Sequence, residues 1–223
     1  MIDIVQTIRD FVNSLDLSGR VLSLSNDGTN TTLILENSYH LREFMQVSVD
    51  GTPHNVVSTD ASTNSIVIEG VLVSAFTYEV PKPFFFHGTN YFIGIEFDSK
   101  EDVNKLPMFY LESLTREVWG NDDSQYITTP DFRFVFADWS NYAHWLSDEF
   151  VEKRLVGLRK LANAFRVQAL DYPKFGDIDK FDIEQFYKLG RIKDKSGAVD
   201  SLFNHTLSAI SMKVTIPIYN CNC

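Results

Sequence analysis

The chain has 223 residues, with 20 Lys+Arg against 30 Asp+Glu, a formal net charge of −10, 44% hydrophobic residues and 13% aromatics led by 18 Phe. That length accommodates one large domain, or a domain carrying an insertion, with a core that needs no disulfide or metal staples, and the ordinary globular composition excludes wholesale disorder. The acidic balance is a poor match to a general nucleic-acid binder, which needs clustered Lys and Arg, and the longest uncharged stretch, residues 83–95, is interrupted by His87 and too short for a membrane-spanning helix of ~20 apolar residues.

Ile4/Val5, Ile8, Phe11/Val12 and Leu15 recur at three- and four-residue steps, which predicts an amphipathic N-terminal helix stopped by Ser18-Gly19. The same stretch carries Asp3, Arg9 and Asp10, where a secretory signal needs a basic start and an unbroken apolar run. The protein is therefore expected to stay where it is made, or to leave by assembly or lysis. From residue 20 to 80 the period switches to two. Strands are predicted over 21–24, 31–35, 45–49, 65–68 and 71–80, separated by turns at Asn26-Asp27-Gly28, Asp50-Gly51 and residues 60–64. Residues 1–81 hold three basic residues (Arg9, Arg20, Arg42) against ten acids, whereas residues 82–223 hold 17 against 20. Pro81 and Pro83 mark the boundary by holding the chain extended.

Beyond that boundary, residues 107–111 and 132–136 read as core strands. The strongest helix follows, with Val151, Leu155, Leu158, Ala162, Phe165 and Ala169 on one stripe and Ser147 as N-cap. Its early acids and later Lys and Arg residues complement the helix dipole, so the basic run requires no ligand. Residues 171–195 read as polar and turn-rich. Residues 206–219 alternate as a long terminal strand whose parity slips at Ser211-Met212, predicting a bulge, and Pro217 suits a sheet edge. The expected fold is α+β. A core domain of residues 1–17 and 82–223 has a mixed or antiparallel sheet with packed helices, and residues 18–81 form an inserted small antiparallel β module.

No local motif specifies a reaction. His40, His54, His87, His144 and His205 are scattered, and the sequence contains no HExxH, CxxC, GxSxG, P-loop or GxGxxG pattern. His87, in Phe84-Phe85-Phe86-His87-Gly88, is the one candidate base, against a plainer reading as a hydrogen-bonded strand-end histidine. Asp177, Asp179 and Asp182 fail the EF-hand pattern, since Phe181 and Asp182 occupy its fifth and sixth positions. Cys221 and Cys223 have the wrong spacing for zinc and suggest a reducing compartment. No catalytic residue, metal ligand or cofactor is therefore assigned.

The order of segments carries a resemblance. IVQTIRDFVNSL (4–15) is followed by the β-rich HLREFMQVSVDGTPHNVVSTDASTNSIVIEG (40–70), PKPFFFHGT (81–89) and KLPMFYLES (105–113). FRFVFADWSNYAHW (132–145), DEFVEKRLVGLRKLANAF (148–165) and LFNHTLSAISMKVTIPI (202–218) complete it. This series resembles the neck and tail-completion proteins of tailed bacteriophages, particularly phages of Bacteroidota including crAss-like phages. The resemblance implies a tail-terminator-like fold and a non-catalytic virion protein assembled in the host bacterial cytoplasm. It implies a homo-oligomeric ring, hexameric or larger, contacting other neck and tail proteins. DNA passes through such a ring without sequence-specific binding, and no membrane is involved. The expected subunit contacts are Phe84, Phe85 and Phe86 at the module boundary, with Trp139, Tyr142 and Trp145 where a strand turns into the long helix. Two alternatives remain open: a β-rich adhesion or glycan-binding module of a tail appendage, with Trp119 or Tyr78 as a stacking platform, and a hydrolase built on scattered acids and His87.

Overall fold

The computed structural model describes residues 3–88, 106–112, 117–119, 127–140, 151–189, 191–193, 199–201 and 207–219. It divides into two compact units. One comprises Met1–Leu15, Pro83–Asn141 and Ala162–Cys223; the other comprises Asp16–Lys82 and Tyr142–Leu161.

In the second of these, six strands close into a barrel. They are β1 (Ser18–Asn26), β2 (Asn30–Leu35), β3 (Gln46–Val49), β4 (Thr52–Asp60), β5 (Ser65–Glu69) and β6 (Thr77–Glu79). Their order around the barrel is β1-β2-β5-β4-β3-β6, with β6 returning to β1 and every neighbouring pair antiparallel. Period-two alternation explains the closure. Leu33 and Leu35 on β2, Val47 and Val49 on β3, Val56 on β4 and Ile66 and Ile68 on β5 are all buried, while their neighbours are not. The β3–β4 turn needs left-handed backbone at both central residues, and Asp50 (φ 48°) and Gly51 (φ 81°) supply it.

The other unit is built on a mixed sheet. Its strands are β7 (Phe84–Gly88), β8 (Met108–Glu112), β9 (Glu117–Trp119), β10 (Ile127–Trp139), β11 (Phe181–Leu189), β14 (Leu207–Thr215) and β15 (Ile218–Tyr219). The main order is β11-β14-β10-β8-β7, with β9 and β15 both pairing the first part of β10; only β7 and β8 run parallel. A separate hairpin pairs β12 (Arg191–Lys193) with β13 (Val199–Ser201). Helix α1 (Ile4–Ser14) starts at Asp3, whose carboxylate accepts the Gln6 N–H at 3.0 Å. A π-helical turn (Val151–Leu155) leads into α2 (Val156–Leu170). The unit's core is an aromatic cluster. Phe165 of α2 lies 4.9–5.7 Å from the rings of Phe11, Phe109, Phe134 and Phe136, and Phe11 in turn touches Tyr172 and Phe175.

This architecture corrects the α+β expectation. The protein is mostly β, with fifteen strands and two α-helices among the described residues, and the barrel is closed. A second apolar cluster of Phe86, Met108, Tyr110, Val135, Ala137, Leu207 and Ala209 sits on side chains of the opposite parity in β8 and β10 from the Phe109/Phe134/Phe136 set. Residues 171–195, read as turn-rich, supply β11. The terminal strand β14 lies between β10 and β11, so it is not an edge. Its pairing with β10 runs from Asp131↔Thr215 to Trp139↔Leu207 with no shift at Ser211-Met212. The apparent parity slip reflects burial on both faces, since residues 207–212 are all buried.

Candidate functional site

Three aspartates of the barrel unit are committed to turns. Asp27, Asp50 and Asp60 accept backbone N–H groups two or three residues on, or, for Asp50, from Phe76 and Thr77. These bonds hold the carboxyls below the usual range; for Asp60, the Ser62 and Thr63 hydroxyls and amides bring it to about 2. Such carboxylates are turn fasteners, too stabilised as anions to serve as proton carriers near neutrality.

Two titratable side chains of this unit are unusual. Lys160 donates its ammonium to the Ala61 carbonyl, to Asn64 Oδ1 at 2.5 Å and to Ser38 Oγ at 3.3 Å. Burial lowers its pKa, with Asp60 acting the other way. The contact ties the start of α2 to the loop that closes the β4–β5 connection. His40 is buried, with Nε2 2.9 Å from the Pro81 carbonyl oxygen and Nδ1 lacking a partner. The carbonyl can only accept, so Nε2 carries the proton. Beside His40 the α2 backbone comes very close: a Cβ on Gly157 would sit 2.7 Å from the Tyr39 carbonyl oxygen and 3.2 Å from His40 Cα. Gly157→Ala is therefore expected to destabilise by about 2 kcal/mol, although alanine is favoured by ~1 kcal/mol in an unhindered helix interior. Urea titration of the full chain checks the sign; a more stable variant would refute the contact.

In the sheet unit, an open groove of about 460 Å³ is lined by Glu112, Asp131, Arg133, Lys180, Asp182 and Lys213, among others. Its charges are mutually engaged. Arg133 reaches Glu112 at 3.3 Å and Ser211 Oγ at 3.0 Å, Lys213 reaches Glu184 at 3.2 Å, and Lys180 reaches Asp182 at 2.7 Å. Arg133 and Lys213 stand directly opposite on β10 and β14, so flanking carboxylates are needed to offset their repulsion. Cross-strand neutralisation accounts for these pairs, while Asp131 accepts the Thr215 hydroxyl at 2.7 Å.

His87, the one sequence-derived base, is exposed; partial burial and the Arg9 guanidinium lower its pKa, with Asp3 opposing. Asp177 and Asp179 are exposed, and no three His, Cys, Asp or Glu side chains converge on a metal-sized space among the described residues. Tyr78, offered as a stacking platform, is buried, and its hydroxyl both donates to the Asn37 carbonyl and accepts the Asn37 N–H. The side chain of Trp119 lies outside what is described, as do Tyr142 and Trp145. Of the remaining expected contact residues, Phe84 is exposed and 4.8 Å from Phe86, and Phe85 lies under Arg9 at 5.3 Å. Phe86 is buried in the cluster described above, and Trp139 is half-buried at the end of β10.

What sequence reasoning missed is an apolar strip on the barrel. Leu22 is 63% exposed, Val71 51%, Val73 97% and Phe76 69%. Residues 70–76 run alongside β1, where the Val21 N–H donates to the Phe76 carbonyl at 2.9 Å and Asn26 Nδ2 to the Leu72 carbonyl at 2.8 Å. The signal was present in the uncharged run GVLVSAF, read there as strand interior. The chain matches no protein-family profile and no curated protein.

Proposed function

We propose that this protein is a non-catalytic structural subunit of a tailed-phage neck or tail, assembling into an oligomeric ring around the DNA channel. The observation that carries the reading is the exposed strip of Leu22, Val71, Val73 and Phe76, together with exposed Phe44. Large apolar side chains held in water at these exposures are costly unless a protein partner covers them. The order of segments supports the phage context. Support from a terminator-like α+β fold is gone, so the proposal rests at the level of neck or tail subunit. Images of the purified chain, alone and mixed with the products of neighbouring genes, are expected to contain closed rings. Glycan binding or bond cleavage by a persistently monomeric protein in both samples would refute the reading.

A further inference from the structure

We propose that Lys160 and Asn64 are the two halves of an intramolecular cross-link, in which the lysine amine condenses with the asparagine carboxamide to an isopeptide bond and releases ammonia. The bond lies wholly within the barrel unit and owes nothing to what the chain assembles with.

Reach comes first. Lys160 projects from α2 and Asn64 ends the β4–β5 connection, 96 positions earlier, yet Nζ lies 2.5 Å from Asn64 Oδ1. With a C=O bond of ~1.23 Å, Nζ is no farther than about 3.7 Å from Cγ. That is close to the ~3–3.5 Å separation of atoms poised to react. Both partners are held in place. Asn64 takes left-handed backbone (φ 57°), which asparagine tolerates better than most side chains. Asp60 fastens the same turn through the amides and hydroxyls of Ser62 and Thr63. The Ala61 carbonyl anchors the lysine.

The surroundings supply what acyl transfer needs. Ser38 is fully buried, and its N–H donates to Asn64 Oδ1 at 3.0 Å and its hydroxyl at 3.2 Å. Two donors thus aim at the oxygen on which negative charge develops. The same hydroxyl accepts from Lys160 at 3.3 Å, bridging the amine and the carbonyl oxygen. Three acceptors suit an ammonium, which is the resting form. Burial favours the neutral amine that attacks, with Asp60 acting the other way. After one ammonium proton is lost to water, the Nζ lone pair adds to Cγ and the carbonyl pair moves onto Oδ1. A second Nζ proton passes to Nδ2, the Cγ–Nδ2 bond breaks, and the oxygen pair restores the C=O. Nδ2, which donates to the Glu36 carbonyl at 3.4 Å, leaves as ammonia and takes a proton from water. Nothing is oxidised or reduced, and one turnover replaces an ion–dipole contact by an amide.

Mass spectrometry of the full chain, wild type beside Lys160→Arg, tests this after each folded protein has been incubated at mildly alkaline pH and then denatured. The wild type is expected to weigh one ammonia less than its sequence requires. Its tryptic digest should contain a species joining the peptides that carry Asn64 and Lys160. On a denaturing gel it should run ahead of Lys160→Arg, because a loop of 96 positions is closed. Lys160→Arg, which keeps the charge but has no attacking amine, is expected to keep its full mass. A folded wild type that retains its full mass would overturn the cross-link and leave Lys160 as a hydrogen-bonded clamp. Loss of ammonia with the two peptides unjoined, and persisting in Lys160→Arg, would overturn it too, since cyclisation of Asn64 onto the Ser65 nitrogen then accounts for the mass.

Discussion

Replacing Phe165 by alanine is expected to cost about 4 kcal/mol, the largest effect of any single substitution considered for this protein. The side chain is fully buried and lies at the centre of four other rings, Phe11, Phe109, Phe134 and Phe136. Truncation removes its transfer free energy and leaves a cavity that rigid neighbouring rings fill poorly, which places the loss within the ~3–5 kcal/mol range of buried Phe→Ala changes. Edge-to-face contacts with Phe11 and Phe136 add to that loss. Phe165→Leu should cost only a fraction as much, because most of the volume is kept. Urea denaturation followed in the far-ultraviolet measures both, and a loss below ~1 kcal/mol in the alanine variant would mean that the ring cluster is not the core of its unit.

Acidification should destabilise the barrel unit by about 3 kcal/mol through His40 alone. Burial, opposed by the Pro81 carbonyl and assisted by nearby Arg42, lowers its pKa to about 4 from an ordinary 6.5. The folded state thus holds the neutral imidazole while the unfolded state takes up a proton more readily. Stability from this group is complete above pH 6.5 and declines as pH falls from 6.5 towards 4, by ~1.4 kcal/mol per unit. The structural cause is the partnerless Nδ1, where protonation would create a buried donor with nothing to receive it. Stability measured from pH 7.5 to 4 should show this slope in the wild type and lose that part of it in His40→Gln, whose amide can still donate to Pro81. An identical pH profile in the two proteins would remove His40 as the cause.

Strong periodicity was readable wherever one face meets water. Helix α1 buries Ile4, Ile8, Phe11 and Val12, the residues of its apolar stripe. Residues 46–49 alternate in burial as they alternate in polarity, and residues 65–68 alternate in burial. The sequence was misleading where both faces are covered or neither is. Strand β14 is buried on both sides, so its parity carried no information about register or edge position. β11 is an edge strand with Asp182, Ile183 and Glu184 all exposed, so its composition resembles a loop. Residues 71–76 read as strand because strand propensity describes packing on a pleated surface, and here that surface is missing. The charged groove on β8, β10, β14 and β11 was invisible for another reason. Glu112, Arg133, Glu184 and Lys213 meet only through strand register, which no short-range pattern encodes. Of the six expected contact residues, Tyr142 and Trp145 fall outside the described residues.

The Lys160 clamp has a bearing on biosynthesis. Its ammonium grips the Ala61 carbonyl, a partner 99 positions earlier in the chain. At translation speeds of about 5–20 residues per second, the last of the six strands, ending at Glu79, is synthesised roughly 4–16 s before this lysine. During that interval the nascent barrel lacks its latch. Chaperone capture or premature pairing between neighbouring nascent chains would find its opportunity in those seconds.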